Sequence, residues 1–141
     1  MHEECQMIRI AVALLLRPDG LALLVRKRGS RIFIQPGGKI EPGERPEAAL
    51  RRELHEELGL AIEPSALVPL GQGQADAANE PGHRVLADMF GLISATAPRI
   101  GAEIETDLWI DPLQPPDEIE IAPLSRHVVL PQARLLRLAA P

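Results

Sequence analysis

Residues 38–60, GKIEPGERPEAALRRELHEELGL, constrain this chain more than any other stretch. Two turn signals, Pro36-Gly37-Gly38 and Pro42-Gly43, stand ahead of a segment with helical periodicity. Pro46 suits the first helical position, where no N–H donor is needed. Glu47 next to it is favoured at the positive end of the helix dipole. Leu50, Leu54 and Leu58 recur every fourth residue, so a helix here presents one apolar stripe to a core. Gly59 supplies a stop, because glycine takes the left-handed conformation past a helix end at little cost. The pattern predicts a helix of about twelve residues, three to four turns.

Glu53, Glu56 and Glu57 stand at i, i+3 and i+4 of that helix, so their side chains converge. At about 100° per residue, Glu57 falls beside Leu50 on the helical wheel and borders the buried stripe. Like charges this close repel, and partial burial makes ionisation costlier. A cation relieves both. Carboxylate oxygens are hard ligands, which suits Mg²⁺ or Mn²⁺ and not zinc. The plain alternative is a solvated helix laced by the i,i+4 pairs Glu47–Arg51 and Arg52–Glu56. The loop ahead of the helix weighs against it. Its glycines let the backbone approach a ligand closely, and Glu44 can pair with Arg52 to tie loop to helix.

Gly38, five residues, Glu44, seven residues, Arg52-Glu53-Leu54, one residue, Glu56-Glu57, one residue and Gly59-Leu60 together resemble the Nudix box at every fixed position. The resemblance implies an α/β/α sandwich around a mixed β-sheet, with the whole chain as one domain. It implies hydrolysis of a nucleoside diphosphate linked to another group, with Mg²⁺ or Mn²⁺ as cofactor. By the same resemblance Glu53, Glu56 and Glu57 hold metal or orient the attacking water, Arg52 belongs with them, and the Gly37 carbonyl is a further ligand. The resemblance also bears on substrate. ADP-ribose hydrolases of the family tend to carry a proline at a set spacing past the box, and Pro64, Pro69 and Pro81 are not well placed for it. Dinucleoside polyphosphate hydrolases tend to use a downstream tyrosine, and this chain has none. What remains resembles the small MutT-like group, which acts on nucleoside triphosphates. The alternatives are an ADP-ribose or nucleotide-sugar pyrophosphatase and a nucleotide-binding module without turnover. The complete glutamate set argues against the latter.

The net charge of −5 argues against general affinity for nucleic-acid polymers or membranes. An acidic protein that meets a small phosphate-rich molecule needs local positive charge. Arg26, Lys27, Arg28, Arg31 and Lys39 flank the glycine loop, and Arg26, Arg28 and Lys39 are the expected phosphate contacts. The single cysteine, Cys5, excludes an internal disulfide and fits a reducing, cytoplasmic setting. No periodic stripe marks an interface, so monomer and homodimer both stand.

Residues 8–16 are apolar but few and interrupted by Arg9, which suits neither a signal peptide nor a membrane span. They read instead as a central strand apolar on both faces. Arg17-Pro18-Asp19-Gly20 is a turn, and residues 21–26 form the returning strand. Residues 67–71 and 84–92 read as strands flanking a polar loop over 72–83, where Asn79 or His83 is expected to help choose the substrate. Glu103, Glu105 and Asp107 precede a strand over 108–111. The resemblance implies one further acid from this loop, Glu103 first and Glu105 second. Trp109 is expected beneath the sheet with its N–H bonded. A last helix is expected to open at Pro131, packing Leu135, Leu136 and Leu138 on the sheet with Arg134 and Arg137 in water. His127 reads as structural.

Overall fold

The computed structural model describes residues 6–139, and their side chains as far as residue 136; Cys5 and the side chains of Arg137 and Leu138 lie outside this range. Strand β1 (Met7–Leu16) is the axis of the molecule. Its even-numbered members Val12, Leu14 and Leu16 enter one core, and Ala11, Ala13 and Leu15 enter another on the opposite face. This two-sided burial is what an unbroken apolar run requires. The turn to β2 (Ala22–Lys27) is the expected one: Gly20 has φ 91°, and its N–H donates to the Arg17 carbonyl at 2.9 Å. Strands β3 (Ile32–Ile34) and β4 (Gly37–Lys39) follow, and β4 returns antiparallel on β1 with Val12 opposite Gly37.

Helix α1 (Pro46–Leu58) comes next, then β5 (Val68–Asp76), β6 (Arg84–Ile93), β7 (Ile104–Ile110) and β8 (Glu120–Ile121). The sheet order is β5-β6-β1-β2-β3-β8, with β4 added on β1 and β7 on β2. β6 lies parallel to β1 along its length, from Met7 opposite Arg84 to Leu16 opposite Ile93, while β2 and β4 run antiparallel to it. The sheet is therefore mixed. α1 covers one face through Ala49, Leu50, Leu54 and Leu58, all fully buried. A helical segment covers the other: a wide turn over Leu124–Val129, a tight turn over Leu130–Gln132 and helix α2 (Ala133–Ala139). This is the expected α/β/α sandwich. Among the described residues no helix is long and apolar enough to cross a membrane.

Four local expectations are corrected. The polar loop does not begin at residue 72, because β5 continues to Asp76 and pairs with Arg84. A bulge between Pro69 and Gly71, with Gly71 at φ 86°, carries the ladder past the proline. β7 starts at Ile104, which is fully buried, so Glu105 and Asp107 stand within the strand. The last helical segment opens at Leu124, and Pro131 falls inside it near the start of a tight turn, where proline costs no hydrogen bond. Leu136 is buried as expected, but Leu135 is 61% exposed. Trp109 is half-buried against the α1-side core, with the Arg17 guanidinium 4.9 Å from its ring centroid.

Candidate active site

α1 ends as its sequence requires. Gly59 has φ 65°, its N–H donates to the His55 carbonyl, and the Leu60 N–H reaches back to Leu54. The apolar stripe turned to the sheet fixes the three glutamates at graded depths. Glu56 is 58% exposed, the Glu53 side chain 17% and Glu57 only 4%. Glu57 Oε1 accepts the Gly37 N–H at 3.1 Å. Burial pushes the Glu57 carboxyl up to about 7; the Gly37 N–H and the charge of Lys27 oppose that rise, and the charges of Glu53 and Glu103 add to it. The identified partner of Glu57 is thus the amide of Gly37.

The two glycines are required by contact. At Gly37, φ is 141° and a Cβ would sit 2.1 Å from the Ala11 carbonyl oxygen. At Gly38 a Cβ would sit 2.6 Å from Glu53 Cδ. β4 therefore lies tight on β1 and tight under Glu53.

Arg52 organises the helix entry. Its Nε and Nη2 donate to the two oxygens of Glu44 at 2.7 and 2.9 Å, its Nη1 to Glu53 Oε1 at 2.7 Å, and its Nη2 to the Lys39 carbonyl at 3.2 Å. Glu56 Oε2 lies 3.6 Å from Nη1. The fork on Glu44 is the bidentate geometry that only arginine provides. It holds the Glu44 carboxyl down at about 2, helped by the Glu41 N–H, and holds the Arg52 guanidinium above its usual range. The expected tie from loop to helix is present. Of the two expected i,i+4 pairs, Arg52–Glu56 is present, while Glu47 pairs with Arg45 and Arg51 donates to the Ile62 carbonyl.

The donor set suits a hard divalent ion: it is made of carboxylate oxygens, and burial of Glu57 outweighs the Gly37 N–H and the Lys27 charge that favour its ionised form. Among the described residues the three carboxylates are not drawn together as a ready-made metal cluster. The Arg52 cation stands beside Glu53 and Glu56 instead.

A pocket of about 200 Å³ opens on the sheet face opposite α1. Ile8, Ile10 and Val12 of β1 form an aliphatic wall, and Gly37, Gly38 and Lys39 of β4 form the edge nearest the carboxylates. The β5–β6 loop, residues 77–83, contributes Asn79 and Glu80. Asn79 Oδ1 accepts from Ser30 Oγ at 3.0 Å, and Glu80 pairs with Lys39 at 3.4 Å. Buried Gln35 donates through Nε2 to the Ala13 carbonyl at 2.8 Å, and its own N–H donates to Ser125 Oγ. Its Oε1 has no partner among the described residues.

The structure sorts the expected site residues. Lys39 and Asn79 line the pocket. Arg26 does not; its Nη1 donates to the Ser30 carbonyl and its guanidinium stacks on Phe33. Arg28 turns the other way, donating to the Ala102 carbonyl and pairing with Glu105. His83 lies outside the pocket lining, with Nδ1 at the Pro81 carbonyl. Glu103 sits in a turn closed by the Ile104 N–H on the Gly101 carbonyl, and that turn docks on α1 through the Gly101 N–H on the Glu57 carbonyl at 2.8 Å. Sequence reasoning missed Lys27, Gln35 and Ser125 as pocket residues. Lys27 was not legible from strand alternation, which sets it with Leu23 and Val25 on the α1 side; a register shift between Arg26 and Lys27 breaks that period. Ser125 carried no signal.

The family model for the NUDIX domain matches residues 7–129. A stretch of 59 residues is 37% identical to the 8-oxo-dGTP diphosphatase of Haemophilus influenzae, over 39% of this chain and 43% of that protein. A stretch of 66 residues is 42% identical to the nucleoside triphosphatase NudI of Salmonella arizonae, over 43% of this chain and 47% of that protein. These matches span less than half the length of either relative. The crystal structure of a MutT NUDIX hydrolase from Burkholderia pseudomallei superposes with a TM-score of 0.74 at 26% identity, over 90% of this chain and 98% of that one.

Proposed function

From the premise that this chain belongs to the Nudix family, we propose that it hydrolyses a phosphoric anhydride of a nucleoside triphosphate, releasing the monophosphate and pyrophosphate. The carrying observation is Gly38. It lines the pocket on one side and packs under the Glu53 carboxylate on the other. A polyphosphate leaving the pocket therefore meets the carboxylates across a single residue. The pocket is smaller than the roughly 300–1,000 Å³ of sites that enclose a whole drug-sized ligand, which suits one heterocycle with its phosphates outside. The activities that name the two relatives support a nucleoside triphosphate over a polymer.

Glu53, Glu56 and Glu57 would hold Mg²⁺ or Mn²⁺, with the Gly37 carbonyl as a further ligand. Such an ion, when bound, polarises the phosphorus–oxygen bonds and lowers the pKa of water. The remaining work belongs to the chain. Arg52 fixes the Glu53 carboxylate through Oε1. Glu53, or Glu103 from the turn docked on Glu57, accepts the proton of the attacking water. The water oxygen bonds to phosphorus as the bridging phosphorus–oxygen bond breaks. Lys27 and Lys39, on the pocket edge, meet the phosphates; Arg26 sits one residue further back. Asn79 orients the base.

The test is product analysis on nucleoside triphosphates, ADP-ribose and nucleotide sugars, with Mg²⁺, Mn²⁺ or EDTA. Pyrophosphate from triphosphates alone is expected, with Glu53→Gln folded but nearly inactive. Turnover confined to diphosphate esters would replace this substrate class, and binding without turnover would remove the enzyme reading.

A further inference from the structure

The turn that carries Glu103 is held from two sides. On the helix side, the Arg99 N–H donates to the Leu58 carbonyl and the Gly101 N–H to the Glu57 carbonyl, each at 2.8 Å. The approach is close enough that a Cβ on Gly101 would lie 2.5 Å from the Glu56 carbonyl oxygen. On the strand side, Lys27 pairs with Ile104, and Arg28 supplies three further contacts. The Arg28 N–H donates to the Glu103 carbonyl at 3.0 Å, Arg28 Nε donates to the Ala102 carbonyl at 2.6 Å, and Nη1 pairs with Glu105. Ile104, fully buried, pins the end of the turn to the core.

We propose that Arg28 is a positioning residue: it sets the Glu103 turn against the C-terminal end of α1, and Glu105 is its counter-ion, not a member of the reacting group. This assigns different work to two acids that sequence spacing treats alike. The guanidinium is spent on a carbonyl and a carboxylate of the turn, which leaves it turned from the pocket. A lysine there keeps the charge but cannot reproduce the fork that reaches Ala102 and Glu105 together. The proposal rests on the reading above that Glu103 serves the reaction.

The Arg28–Glu105 pair is exposed, 63% and 41%, so Arg28→Ala costs little stability and gives a folded variant. Two readouts separate the possibilities. In the metal-free protein, amide hydrogen exchange at Gly101 and Ile104 is expected to accelerate at least tenfold in Arg28→Ala and Arg28→Lys alike. In the active enzyme, both variants are expected to lower kcat by about 10- to 100-fold, the size of effect that misplaced groups produce, with KM within about twofold. Adding either change to Glu103→Gln is expected to cost nothing further. A raised KM rescued by lysine would overturn the proposal in favour of a phosphate contact, as would unchanged exchange at Gly101 and Ile104. Full activity of Glu103→Gln would instead overturn the role given to Glu103, and the exchange result would still decide whether Arg28 holds the turn.

Discussion

Glu57→Gln is expected to make the metal-free protein more stable at neutral and alkaline pH, and the gain follows from the fold. Glu57 is 4% exposed, and its carboxyl is pushed from 4.5 up to about 7, mainly by burial. An unfolded chain releases this proton near 4.5, so between the two values the folded state holds the proton and the unfolded state does not. Stability from this group is then complete below about pH 4.5, declines as pH rises through about 7, and is flat above. Each unit of difference is worth about 1.4 kcal/mol, so the decline amounts to about 3 kcal/mol. Glutamine keeps the shape and an oxygen for the Gly37 N–H but has nothing to ionise. Urea unfolding of both proteins in EDTA, from about pH 5 to about pH 8, reads the effect, because titrating groups that do not interact with Glu57 cancel in the difference. The wild type is expected to fall behind the variant by about 2.5 kcal/mol across that range, the rest of the decline lying below about pH 5. Mg²⁺ is expected to restore the wild type alone, since an ion that binds the ionised folded state stabilises it. Parallel stability curves for the two proteins would refute the reasoning.

Gly38→Ala is expected to remain folded, since its Cβ meets only the movable end of Glu53, and to lose about 100-fold in turnover as that carboxylate is displaced. Gly37→Ala strikes a backbone carbonyl instead and is expected to lower the melting temperature severely, measured by circular dichroism. Arg52→Gln should let Glu44 titrate up from about 2 toward its ordinary 4.5, followed by NMR of the side-chain carboxyl carbon. Asn79→Ala should change the ratio of kcat/KM values between nucleobases more than it changes the best of them; a uniform loss across a triphosphate panel would remove Asn79 from base selection.

The helix and its acids were legible because their information is local. A four-residue apolar repeat fixes which face is buried, and the wheel then sets Glu57 at the margin of that face, where the structure has it. β5 was not legible in the same way. Its residues alternate between exposed and half-buried, so no apolar signal marks the strand beyond Gly71; its continuation to Asp76 is decided by pairing with β6. The C-terminal segment misled for a similar reason. Pro131 reads as a helix start, yet Leu124 and Val129 are already packed on the sheet ahead of it. The basic run 26–28 carries no local signal of direction: proximity in sequence to the glycine loop does not say where a side chain points. β2 ends at Lys27 with a register shift between Arg26 and Lys27, and past that break the structure sends Lys27 to the pocket and Arg28 to the Glu103 turn.

Arg52 and a divalent ion do not exclude one another, although both seek the same acids. The guanidinium is anchored by two bonds to Glu44 and one to the Lys39 carbonyl, so it stays with the helix entry whatever else binds. It occupies Oε1 of Glu53, as the Gly37 N–H occupies Oε1 of Glu57. Among the described residues each of these carboxylates thus keeps its Oε2 open. Two open oxygens, with exposed Glu56 as a movable third, make a poor cage for an ion that takes six to eight oxygen ligands, as Ca²⁺ does. On the proposed reading they would seat Mg²⁺, which is commonly held by one or two carboxylates and completes its shell with water and the phosphates of the substrate. On the proposed reading, the loose arrangement of the acids is therefore a matter of division of labour. The protein fixes two carboxylates through their Oε1 atoms with a guanidinium and a backbone amide, and the polyphosphate arriving past Gly38 supplies the rest.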